Sequence, residues 1–133
     1  MAQARAGLQP YARSAMRLIA GFLFMEHGLQ KIFGLFGGLG GNGATAHFFS
    51  WPWAAGILEV VGGPLILIGL YTCPVAFVLC GEMAVAYFWV HAHGSFWPLV
   101  NHGELAVLYC FVFLYLAVAG PGPVSADAII RHQ

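Results

Sequence analysis

The apolar positions of this chain gather into four blocks of near-membrane length, separated by stretches of glycine, proline and aromatic residues. They run over about residues 14–33, 52–70, 74–93 and 101–119. Each is close to the roughly 20 residues that a hydrocarbon core requires of a helix. Pro52 suits a first helical turn, where its missing N–H is not needed. Thr72 and Pro74 mark a tight turn into the third block, and Gly120-Pro121-Gly122-Pro123 stops the fourth. Phe48, Phe49 and Trp51, and later Phe88, Trp89, Phe96 and Trp97, lie where an interfacial belt belongs. The pattern predicts an all-α integral membrane protein: one domain over residues 1–133, a four-helix transmembrane bundle and a short C-terminal interfacial helix.

Polar residues inside the blocks change the picture. The first carries Glu26, His27, Gln30 and Lys31, and the others carry one glutamate each, Glu59, Glu82 and Glu104. A charge at the bilayer centre costs roughly 2.5 to 3.5 kcal/mol on insertion scales, against roughly 0.3 to 0.6 gained per Leu, Ile, Phe or Val. These groups are therefore expected to face away from lipid. At about 1.5 Å rise per residue, Glu26 and Glu59 fall about 3 to 4 Å outward of the midplane, Glu82 about 2 Å inward and Glu104 about 9 Å outward. Helical spacing groups Glu26 with Phe22, Leu29, Gln30 and Phe33, and Glu59 with Ala55, Gly62 and Gly63. It groups Glu82 with Ala86, Trp89 and His93, and Glu104 with Asn101, Phe111 and Tyr115. With those faces inward, the bundle centre holds several acids that cannot all ionise. Some are then protonated, hydrogen-bonded, or neutralised by a bound cation or by Lys31 and His93. The plain alternative is interhelical glue.

Composition agrees with a membrane protein: 60% hydrophobic and 8% charged residues, outside the range of soluble domains. Zero net charge, with five scattered basic residues, excludes a nucleic-acid surface. Arg5, Arg13 and Arg17 around the start of the first block, against Lys31 at its far end, predict that both termini are cytoplasmic. A removable signal peptide is disfavoured, because Glu26, His27 and Lys31 interrupt the region where cleavage belongs. Cys73 and Cys80 stand about 10 Å apart along one helix, too far for a disulfide, and all three cysteines read as packing residues. His27 and His102 adjoin glutamates, so metal or haem ligation stays open, yet neither has the Glu-x-x-His spacing of a di-iron bundle. His47, His91 and His132 read as solvated.

The order of the marks resembles the DoxX family of small four-helix membrane proteins. It is carried by Arg17 with Gly21, His27-Gly28-x-x-Lys31, Glu59-x-x-Gly62-Gly63 with Gly69, Gly103-Glu104, and Gly120-Pro121-Gly122 followed by Ser125 and Asp127. The turn Tyr71-Thr72-Cys73-Pro74 departs from relatives, which usually place a basic residue there. The resemblance implies a link to quinone redox chemistry, since a related protein is the small subunit of an archaeal thiosulfate:quinone oxidoreductase. On that basis Glu26, Glu59 and Glu82 are expected to move protons, and His27, Lys31, His102 and Glu104 to bind the cofactor, a quinone. No redox centre is visible in the chain, so a protein partner or a bound reductant must supply the electrons. The expected setting is a bacterial or archaeal plasma membrane, with a homo-oligomer left open. A non-catalytic subunit or assembly factor is the alternative. Transport is less favoured, because no inverted repeat or broken helix is apparent.

Overall fold

The computed structural model of the protein describes residues 2–131, with side chains from Gly7 onward. The Arg5 side chain and His132 lie outside the described residues. Among the described residues six α-helices follow one another: α1 (Ala2–Phe33), α2 (Trp51–Ile68), α3 (Thr72–Ala86), α4 (Pro98–Asn101), α5 (Glu104–Ala119) and α6 (Ala126–Arg131). Among the described residues there is no strand, only a lone bridge between Leu39 and Ala44. Two helical stretches among the described residues are long and apolar enough to cross a membrane, Trp51–Ile68 and Thr72–His91. α5 has 16 residues, and the apolar part of α1 contains Arg17, Glu26 and Lys31. The chain divides into two compact units, one formed by residues up to Tyr71 with those from Pro121 on, the other by Thr72–Gly120.

In the first unit α1 buries Ser14, Arg17, Ala20, Gly21, Phe24 and Gly28, and α2 buries Ala55, Gly56, Glu59, Gly62, Gly63 and Ile66. Both sets recur every three or four residues, so each is one stripe of a helix. The stripes meet antiparallel along a glycine seam. A Cβ on Gly21 would come within 2.5 Å of the Leu67 nitrogen, one on Gly28 within 2.6 Å of the Val60 nitrogen, and one on Gly63 within 2.8 Å of Met25. Small residues let helix backbones approach in this way where lipid gives no hydrophobic drive. Gly28→Ala is therefore expected to force α1 and α2 apart, at roughly 1–3 kcal/mol of overpacking. Thermal unfolding of the purified protein in detergent would check it, and a melting curve like that of the parent would contradict the seam.

Capping defines the ends of α2. The Ser50 hydroxyl accepts from the Trp53 N–H at 3.3 Å, and Pro52 occupies the first turn. Gly69, at φ 72, closes the other end with N–H bonds to Leu65 and Ile66. The glycine-rich loop before α2 folds back on α1, where the Ala46 N–H reaches the Lys31 carbonyl at 2.7 Å and Gln30 Nε2 donates to Gly38 at 3.1 Å.

In the second unit α3 and α5 are also antiparallel. Cys80 meets Cys110, and a Cβ on Gly103 would meet the Tyr87 ring, 2.9 Å away. α3 runs on as a π turn, Tyr87–His91, in which the Ala92 N–H bonds the Tyr87 carbonyl at 2.9 Å. The extra residue in that turn shifts the helical phase. Trp89 is 71% exposed and His93 exposed as well, so the common face expected for Glu82, Trp89 and His93 breaks at the turn. The fourth apolar block is interrupted too. Asn101 ends the short α4 and spends its side chain on the loop, donating to Ser95 O at 2.8 Å and accepting from the Gly103 N–H at 2.7 Å, so α5 starts only at Glu104.

Candidate functional site

The glycine seam explains where the charged residues of the first unit go. Gly56 lies against the stems of Ile32 and Lys31, and Gly28 against the Cβ of Glu59. With no side chain at either glycine, the Lys31 stem can follow α2 until Nζ donates to Glu59 Oε1 at 2.5 Å. The Lys31 side chain is 22% exposed and that of Glu59 2%. Pairing with good geometry offsets much of the cost of taking both charges out of water. The other carboxylate oxygen, Oε2, is buried and has no hydrogen-bond partner among the described residues. An acceptor left open in this way costs about 1–3 kcal/mol, which a donor arriving from a ligand or a water would relieve.

The remaining site candidates separate by burial. Glu82 is buried in the second unit, while Glu26 and His27 are half-buried on α1, off its most buried stripe. Glu104 and His102 are exposed, against the expectation that Glu104 faces inward. The reason is position. Glu104 is the first residue of α5, where a carboxylate favours the positive end of the helix and needs no interior partner. His102 stands at φ 57 as the residue that ends α4. His91, expected to be solvated, is half-buried with Nδ1 3.2 Å from the Asn101 carbonyl. Among the described residues no three His, Cys, Asp or Glu side chains come together as a metal-binding group.

Two arrangements escape the sequence reading. Arg17, counted there as one of the charges at the start of the first span, is 1% exposed. Its guanidinium donates to Ile66 O at 2.6 Å, Pro121 O at 3.0 Å, Val124 O at 2.5 Å, and also to Leu67 O. It thus caps the open carbonyls at the end of α2 and fastens the segment after α5 to α1. Around it the Asp127 N–H bonds Gly69 O at 2.9 Å and Asp127 Oδ1 accepts from the Tyr71 N–H at 2.8 Å, while Ser14 Oγ accepts from the Val124 N–H at 3.3 Å. The signal was Arg17's spacing with Ser14, Gly21, Phe24 and Gly28, a stripe otherwise made of small and apolar residues. The second arrangement is in the other unit, where the sulfurs of Cys80 and Cys110 lie 3.7 Å apart.

This geometry accounts for the residue marks in physical terms. Arg17, Gly69, Pro121, Gly122, Ser125 and Asp127 build one clamp, and Gly21, Gly28, Lys31, Glu59 and Gly63 build one seam. Comparison with known proteins agrees. A Haemophilus influenzae protein described as uncharacterized is 38% identical over 123 residues, covering 90% of both chains. No solved structure matches. The DoxX sequence profile matches residues 12–92, the stretch from the start of the clamp through the π turn. The chain is a membrane protein of the DoxX family.

Proposed function

We propose that this chain forms a four-span bundle in a bacterial or archaeal plasma membrane, with both termini cytoplasmic. In this reading it serves as the membrane subunit of a quinone-linked oxidoreductase system, and Lys31 and Glu59 are its proton-exchanging pair. One observation carries the reading: the buried Glu59 carboxylate has one oxygen held by Lys31 and the other open. These residues fit a quinone, since Glu59 Oε2 can accept from a hydroxyl and the Lys31 ammonium can donate to a carbonyl oxygen. When bound, a quinone supplies two-electron, two-proton redox chemistry. Lys31 orients the carboxylate and stabilises its charged form, and Glu59 can take up or give a proton at Oε2 in a place closed to bulk water. Glu26 and His27, half-buried on α1, are the candidates for passing that proton onward. Support for the orientation comes from Arg13 and Arg131, both on elements tied to the clamp end of the first unit, against Lys31 at the other end.

A non-catalytic subunit is the second reading, and the same pair favours it, because an ion pair across the seam also fixes helix register. Extraction of the purified, lipid-supplemented protein and mass spectrometry of the extract separate the two. The first reading expects bound quinone in the parent and about tenfold less in Glu59→Gln, a loss of about 1.4 kcal/mol of binding, with the variant still monodisperse. Parent protein without quinone, or a variant that retains all of it, would favour the second.

A further inference from the structure

Cys80 and Cys110 face each other from the middles of α3 and α5, their sulfurs at 3.7 Å. A disulfide needs the sulfurs about 2.0 Å apart, so side-chain rotation and a small helix shift would close the gap. Cys110 in turn lines a cavity of 350 Å³, whose wall also includes Met83, Tyr87, Phe88, Trp97 and Phe111; Cys80 is reached through its contact with Cys110. That volume falls within the roughly 300–1,000 Å³ typical of small-molecule sites. All these residues belong to the second unit. Phe88 and Trp97 at its rim are 63% and 68% exposed, so in a membrane the cavity is entered from lipid. The Tyr87 hydroxyl is spent on the Phe96 carbonyl, which leaves a lining of aromatic faces and sulfur. Such a wall rejects charged or strongly polar reagents and accepts a flat apolar ring.

We infer that Cys80 and Cys110 are a dithiol that a lipid-soluble quinone, seated in this cavity, oxidises to a disulfide. Both S–H bonds break and one S–S bond forms. Two electrons and two protons pass to the two quinone oxygens, and a hydroquinone leaves. The chain then carries its own two-electron donor, and regenerating the dithiol requires a thiol reductant. This goes beyond the Lys31–Glu59 reading and does not rest on it, since every residue it uses belongs to the second unit.

The test uses the full chain, reduced, freed of reductant and placed in lipid nanodiscs, then treated with decylubiquinone. Of its three cysteines, two should become unreactive to maleimide, the intact mass should fall by two hydrogens, and one hydroquinone should appear per disulfide. Cys73→Ser should behave as the parent apart from its missing thiol, whereas Cys80→Ser and Cys110→Ser should keep both remaining thiols. Ala84→Phe, which fills the cavity wall, should slow the reaction with quinone by about tenfold or more while diamide, a small general oxidant, still closes the pair at the parental rate. Three reactive thiols after quinone treatment, or a mass gain from quinone added to sulfur, would overturn the proposal. So would closure by diamide alone, or dependence on Cys73.

Discussion

Arg17→Met should be the most damaging single change in the first unit, at roughly 3–5 kcal/mol, the size seen when one side of a buried charged network is removed. Methionine fills much of the volume but donates nothing. The carbonyls of Ile66, Leu67, Pro121 and Val124 would then lose their shared donor in a place where hydrocarbon cannot replace it. Arg17→Lys should recover only part of the loss, because an ammonium cannot span four acceptors set in a plane around a guanidinium. Thermal scanning of detergent-purified variants reads this directly, and an Arg17→Met protein as stable as its parent would remove the clamp as an explanation.

The second large effect is expected at the seam. Lys31→Met leaves the Glu59 carboxylate buried and unpaired, which costs roughly 3–5 kcal/mol in the same way. Adding Glu59→Gln should return most of it, since the double variant buries no lone charge, whereas Glu59→Gln alone leaves Lys31 able to reach outward with its 22% exposed chain. A double-mutant cycle on unfolding measures the coupling. Additive losses would mean that the 2.5 Å contact contributes little to holding α1 against α2.

Hydropathy made the helical blocks legible, and both ends of α2 and the start of α3 fall within two residues of expectation because serine, proline and glycine mark them chemically, whereas α3 gives way to the π turn at Ala86, before the expected end at 93. α1 extends back to Ala2, further than a membrane-length rule allows, since a helix can outrun the bilayer. The π turn left no trace in the pattern: one inserted residue alters phase without altering composition. The acids were legible as groups that avoid hydrocarbon, but avoidance has two solutions. Glu59 takes a partner inside, while Glu104 stands at a helix end where solvent or headgroups can reach it. Arg17 looked like a topology signal because its partners are backbone carbonyls, which no side-chain pattern announces. Cys80 and Cys110 were missed for a related reason. Spacing along one helix is readable from sequence, but which residues face each other across two helices depends on a register set by packing.

The Arg17 clamp also bears on how the protein is made. Two of the guanidinium's acceptors, Pro121 and Val124, lie 104 and 107 residues further along the chain. During synthesis the guanidinium can therefore reach the carbonyls of Ile66 and Leu67 as soon as α2 is made, but the clamp closes only when the segment after α5 has been added. A fragment that stops between Gly69 and Gly120 would hold Arg17 against α2 alone, with half of its four acceptors still missing.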